Sequence, residues 1–264
     1  HTLRSSEHTG TRTRKANRWW ELSHSQLVRE FRGLPSPTAE QPTTDSGQDL
    51  VVHLTDVHMG DRVRDDSGDV IYDPETAVAA VDHVTEKAIA LAERHRERVT
   101  VDTVHLLWGG DMLTNEAIYS GQFEDLSAWL DEQHDRMVPP LLRQVKALSE
   151  SFPAVNVVAK LTGHLRHGQQ RKAGFRTSAA RKEWSQTLLR HEFDIAWMGH
   201  VHRQQQFSVN GRPVFVSGSP KPSGDFAEQI AAGPDRNLAT VHGVGDDGVT
   251  FVYPIDDRDF EPEL

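Results

Sequence analysis

The chain contains no cysteine. Disulfides and thiolate metal ligands are therefore excluded, and any bound metal must be held by carboxylate, imidazole, amide or water. Long apolar runs are missing too; the hydrophobic stretches are short and interrupted, so neither a membrane span nor a secretory h-region is visible. Hydrophobic residues make up only 36% of the chain and charged residues 26%, which suits a soluble globular protein. A length of 264 residues fits one large domain, or one domain with an appendage. The sequence starts at His1 rather than Met, which leaves room for a preceding or removed targeting segment. Histidine, by contrast, is plentiful: 15 residues supply nitrogen donors for a metal site without proving one.

Charge divides the chain. The net charge is -10, yet residues 1–35 carry seven Lys/Arg against three Asp/Glu, which leaves a strongly acidic remainder. A basic arm on an acidic body argues against broad electrostatic wrapping of nucleic acid, while allowing a local contact. The arm combines Arg4, Arg12, Arg14, Lys15 and Arg18 with Trp19 and Trp20, and Leu22, Leu27, Val28 and Phe31 could line one face of a short helix. Tryptophans of this kind stack on bases or, more commonly, anchor a tail to protein. Residues 36–48, rich in Pro, Ser and Thr, read as a linker.

From residue 49 strands and helices alternate. Leu50 to Leu54 is a strand; Asp73 caps a helix opened by Pro74, with an apolar stripe of Val78, Val81, Val84, Ala88 and Leu91. Val101 to Trp108 is a second strand. Helical sequence from Gln122 to Glu150 is expected to be divided by Pro139 and Pro140. Ala154 to Ala159 is a third strand, Ser178 to Arg190 a helix and Phe193 to Met198 a fourth strand. Asn210-Gly211 then marks a type I′ hairpin, and a second strand pair spans Leu238 to Tyr253. The pattern implies a layered α/β body with residues 49–255 as its core and an acidic tail at 256–264.

Three groups of chemically capable residues fall at strand ends, where loops can converge while the sheet fixes them. Asp56-Val57-His58 follows the first strand, Gly109-Gly110-Asp111 the second, and Gly199-His200-Val201-His202 the fourth. Each alone also reads as a polar loop, a helix cap or an ordinary turn. Together they form the donor set of a divalent-metal hydrolase, in which carboxylate and imidazole suit Mn, Fe, Co, Ni or Zn.

On the stretches His53-Leu54-Thr55-Asp56-Val57-His58-Met59-Gly60, Gly109-Gly110-Asp111-Met112 and Met198-Gly199-His200-Val201-His202, the sequence resembles the calcineurin-like metallophosphoesterase family. The resemblance spans residues 49–255 and is similar to that of phage and prokaryotic DNA-processing members. It implies a four-layer α-β-β-α sandwich of two mixed sheets flanked by helices. It also implies two divalent ions, Mn first among them, with Asp56, His58, Asp111 and His202 holding one. Asp111 would bridge to the second ion, and His200 would belong to that second ion.

One stretch departs from the family pattern. Where Gly-Asn-His is usual after the third strand, the chain has Leu161-Thr162-Gly163-His164-Leu165-Arg166-His167-Gly168, so Gly163 stands at the ligand Asn. By the resemblance His164 would assist the leaving oxygen, His164 and Arg166 would face the phosphate, and His167 is the sole obvious substitute for a further metal histidine. The same basic run also reads as a solvated surface turn.

The expectation is a metal-dependent phosphoesterase that cleaves phosphodiesters, with DNA as a candidate substrate and nuclease action as one form. Its alternative is a catalytically degenerate phosphoesterase fold serving a structural or nucleic-acid-associated role, with residues 1–35 docking onto an assembly. A cytoplasmic setting is expected, and a phage or virus-associated origin is compatible with it.

Overall fold

The structure is a computed structural model that describes residues 47–116, 125–159, 182–186, 194–222 and 236–260. The basic arm, most of the linker, the segment containing His164, Arg166 and His167, and the end of the acidic tail lie outside the described residues.

The architecture is mixed α/β. A five-stranded sheet has the order β10-β9-β1-β4-β5, built from β1 (Asp49–Leu54), β4 (Thr103–Trp108), β5 (Ala154–Ala159), β9 (Asn237–Gly245) and β10 (Gly248–Asp256). β1, β4 and β5 run parallel, while β9 and β10 pair antiparallel. A second, three-stranded sheet has the order β6-β8-β7, from β6 (Ala196–Met198), β7 (Gln205–Val209) and β8 (Arg212–Val216). It too is mixed, with β6 parallel to β8 and β7 antiparallel. A small hairpin, β2 (Val63–Arg64) with β3 (Val70–Tyr72), was not expected from the sequence.

Alternation along the strands decides which layer each side chain joins. Leu54 and Trp108 are in register, and the Trp108 indole donates to Gln144 of the helix α2 (Leu130–Ser151) at 2.8 Å. Leu50, Val52, Leu54, Val104 and Leu106 therefore face the helices and are fully buried. Burial of each such side chain contributes about 1.5–3 kcal/mol. Gln144 also donates to Thr85 of α1 (Pro74–Arg96) at 2.9 Å, so one buried polar chain joins the sheet to both helices. On the outside, Arg143 pairs with Asp82 and Arg136 with Glu75, tying α1 to α2.

The opposite face meets the second sheet. His242 of β9, fully buried, lies 4.4 Å from the Phe215 ring of β8 and 6.2 Å from Trp197 of β6, centre to centre. Beyond the second sheet, Trp184 from the helical residues 182–186 packs with Met198, Val209, Val214 and Val216. The layers thus run helices, sheet, sheet, helical segment, as the sequence pattern and the resemblance imply. At the far edge, Asp259 pairs with Lys87 and the Phe260 ring approaches His83, which holds the start of the acidic ending against α1.

Sequence reasoning placed a break at Pro139 and Pro140; the structure overturns it, because α2 runs unbroken from Leu130 to Ser151. Each proline forgoes one backbone hydrogen bond. Packing offsets that loss: Gln133, Met137, Leu141, Gln144, Val145 and Leu148 form one buried face spanning the proline pair. The α1 ion pairs of Arg136 and Arg143 bracket it. The first turn is also unusual, since Trp129 gives no side-chain cap and Glu116 accepts from the Leu130 amide at 2.6 Å instead.

Burial between the sheets lowers the His242 imidazole to about 4 from its ordinary 6.5. Between those values the unfolded chain takes up a proton that the folded chain refuses, so stability falls as pH drops through the window. The full loss is about 3 kcal/mol. His242→Leu is expected to flatten this acid limb by up to about 1.4 kcal/mol per pH unit in urea unfolding run from pH 7 to 4, whereas an unchanged slope would place the coupling elsewhere.

Candidate metal centre

Parallel pairing between β1 and β4 continues past the ends of the strands. Gly109 N donates to Leu54 O at 2.8 Å, Asp56 N to Gly110 O at 2.9 Å, His58 N to Asp111 O at 2.9 Å and Met59 N to Met112 O at 3.0 Å. The two loops are thus zipped together by backbone hydrogen bonds. Within this zipper Asp56, His58 and Asp111 have φ of 57°, 51° and 45°; in the third loop His200 and His202 have 74° and 54°. Among the described residues seven non-glycine positions have left-handed φ, and five of them are candidate ligands named from sequence. Such a conformation costs about 1–3 kcal/mol at each residue and persists only where the surrounding structure enforces it. In a continuing strand Asp56 and His58 would share one face about 7 Å apart; here left-handed turns at both positions reshape the segment, and Asp56 Oδ1 lies 4.0 Å from His58 Nε2.

Three of the candidates converge. His58 Nε2 lies 3.1 Å from His202 Nε2, His202 Nε2 lies 3.3 Å from Asp56 Oδ1, and His58 Nε2 lies 4.0 Å from the same oxygen. The point equidistant from these three atoms is about 2 Å from each, the length of nitrogen and oxygen bonds to a divalent ion such as zinc. Asp56 is fully buried, and its other oxygen is already taken: Oδ2 accepts from Thr55 Oγ1 at 2.9 Å and from the His200 amide at 2.8 Å. One carboxylate oxygen is held by the protein and the other is presented to the centre. The donor set therefore fits a divalent metal ion.

Asp111 and His200 enter differently. Asp111 supplies its carbonyl to His58 N, and His200 its amide to Asp56. Among the described residues, the donor group that closes to within 4.8 Å comprises Asp56, His58 and His202 and includes neither the Asp111 carboxylate nor the His200 imidazole. One ion site is thus formed by the described side chains rather than two. His164, Arg166 and His167 lie outside the described residues.

Several residues that brace the centre were not singled out from sequence. The Tyr72 hydroxyl, from the unexpected hairpin, donates to Val57 O between the two ligands of the first loop. Burial raises this phenol well above its ordinary value, so it stays protonated as a donor. Gln133 of α2 is wholly buried; it accepts from Asn115 N at 2.9 Å and donates to Ala128 O at 2.9 Å and Asn115 O at 3.3 Å. It lies against Gly60, where φ is +107° and a Cβ would collide with the Gln133 side chain. The loop after β8 docks through Ser219, whose hydroxyl donates to Asp56 O at 2.7 Å. Lys221 of that loop pairs with buried Asp61. Residues that reach a backbone carbonyl or a buried partner carry no spacing signal, so only Gly60, beside the first motif, was suggestive.

No family model matches the chain, and no curated protein matches it. Among solved structures it is similar to wild-type Vps29 from Entamoeba histolytica in complex with Zn2+, at 14% identity and a TM-score of 0.32, covering 78% of this chain and 98% of that one. A single mutant of the same Vps29 gives 15% identity and a TM-score of 0.31 over the same shares. A conserved Streptococcus pneumoniae TIGR4 protein described as a predicted phosphoesterase gives 13% identity and a TM-score of 0.28, covering 80% of this chain and 98% of that one. Likenesses this faint carry no inference about chemistry; that rests on the residues themselves.

Gln133→Leu removes three buried hydrogen bonds while keeping an apolar side chain of similar size. It is expected to cost about 2–3 kcal/mol in chemical denaturation, because backbone groups of Asn115 and Ala128 lose their partner. A change below about 0.5 kcal/mol would show that the brace is dispensable.

Proposed function

We propose that the chain is a metal-dependent phosphoesterase acting on phosphodiesters, with one divalent ion held by Asp56, His58 and His202. The observation that carries this reading is the convergence of three donor atoms about a common point roughly 2 Å away, on backbone held in a costly left-handed form. A site with three protein ligands and an open position is the arrangement of catalytic rather than purely structural ions. What a divalent ion supplies there is Lewis acidity toward a phosphoryl oxygen and acidification of water near neutral pH.

The chain's own residues do the rest. Asp56 keeps Oδ1 aimed at the centre because Thr55 and the His200 amide occupy Oδ2. His58 and His202 offer Nε2 from opposite loops. Asp111 and His200 are assigned to a second, weaker ion, with His167 as an additional ligand. His164 would donate a proton to the leaving oxygen, and Arg166 would pair with the phosphate. Mn, Ni, Co, Fe and Zn all suit this donor set. DNA is the proposed substrate, with residues 1–35 as its basic contact.

A second reading is favoured by one observation: the converging group numbers three, and the second-ion residues do not join it. In that reading the fold is kept for assembly or nucleic-acid association without hydrolysis.

The test is metal content together with hydrolysis of a generic phosphodiester, single-stranded DNA and double-stranded DNA, with Mn, Ni, Co and Zn supplied separately. Turnover is expected with at least one ion. Asp56→Asn should lower metal affinity and turnover by more than the roughly 10–100-fold that loss of an outer partner costs. Metal bound without turnover on any substrate selects the non-hydrolytic reading. Deleting residues 1–35 should weaken DNA association and flatten its loss with salt if they form the contact; unchanged association removes that role.

A further inference from the structure

Two buried polar atoms beside the centre lack hydrogen-bond partners and have complementary chemistry. His202 Nδ1 is one; Asp61 Oδ1 is the other. Asp61 follows His58 by three residues and is only 1% exposed. Its second oxygen, Oδ2, is occupied by the Lys221 ammonium. Lys221 belongs to the loop whose Ser219 hydroxyl holds the Asp56 carbonyl, so the ion pair fixes Asp61 in relation to the centre. When His202 presents Nε2 to a metal, its Nδ1 must carry the proton and becomes an obligate donor. Buried donors of this kind nearly always find an acceptor.

We infer that Asp61 is the outer carboxylate of the metal centre, accepting the His202 Nδ1 proton through a single buried water and so fixing the ring that presents Nε2. The inference rests on the reading of Asp56, His58 and His202 as a metal site. Among the described residues the two atoms make no direct hydrogen bond, since His202 Nδ1 and Asp61 Oδ1 both lack a partner. Asp61 is tied to the first ligand loop by its own amide, which donates to His58 O at 3.1 Å, and His58 Nε2 in turn lies 3.1 Å from His202 Nε2. A polar gap lined by a donor and an acceptor is where a bound water is stable. Asp61 is thus a positioning residue: it leaves the substrate untouched and acts through His202, raising the basicity of its ligating nitrogen.

The experiment is Zn2+ titration of the full chain by competition calorimetry, comparing the unmodified protein with Asp61→Leu/Lys221→Met. The double substitution removes both charges together, so no unpaired ion is left buried, and such replacements are commonly neutral for folding. Zn2+ affinity should fall about 10–100-fold, while the metal-free melting temperature stays within a few degrees. Equal affinity in the two proteins overturns the role of Asp61 and leaves the metal site standing. Absence of Zn2+ binding by the unmodified chain overturns the metal site and this inference with it. Should the variant fail to fold, proton NMR of the Zn2+-loaded unmodified chain decides. A slowly exchanging, downfield Nδ1–H signal correlated with His202 is expected, and an Nδ1 site that exchanges freely overturns the inference.

Discussion

The backbone zipper between the loops that leave β1 and β4 is the constraint on which the centre depends. Four hydrogen bonds from Gly109 to Met112 and Leu54 to Met59 carry parallel pairing beyond the regular sheet. Regular strands would alternate their side chains between the helical layer and the second sheet. On that pattern Asp56 and His58, two residues apart, would share the Leu54 face toward the helices; the zipper keeps the loops paired while left-handed residues turn the chain, and both donors meet His202 at a common point. A third loop, after β6, adds His202 by the same device and contributes the His200 amide to Asp56.

That geometry is unfavourable in isolation, and its bracing comes from every neighbouring layer. The β2–β3 hairpin sends Tyr72 to Val57. α2 sends Gln133 to Asn115 and Ala128, and the loop after β8 sends Ser219 to Asp56. Gly218 in that last loop sits so close to the Asn237 carbonyl that a Cβ would overlap it, which lets the loop lie down between the sheets. These contacts spread the cost of the strained turns over the core. The centre is consequently a property of the whole sandwich rather than of three short motifs.

Much of this was legible in the sequence because strand ends and ligand types are local signals. The placement of Asp56, His58 and His202 after predicted strands was enough to nominate them, and the Asn210-Gly211 hairpin follows directly from its turn chemistry, with φ of 49° and 84°. Longer-range effects were not legible. Pro139 and Pro140 read as a break, yet the buried face of α2 and its ion pairs to α1 keep the helix whole. Tyr72, Gln133 and Asp61 act through partners that include ones 15, 18 and 160 residues away in sequence, which no spacing rule marks. Nor did motif order reveal that, among the described residues, the converging donor group is Asp56, His58 and His202 without the Asp111 carboxylate or the His200 imidazole.

The chemistry of the centre turns on whether Asp56, His58 and His202 enclose one divalent ion. Anomalous scattering at the manganese and zinc edges, from crystals grown with each ion in excess, tests it most directly. A peak is expected about 2 Å from Asp56 Oδ1, His58 Nε2 and His202 Nε2, with any second peak lying toward Asp111 and His200 at lower occupancy. Absence of a peak among the three donors, or metal density only elsewhere, would contradict it.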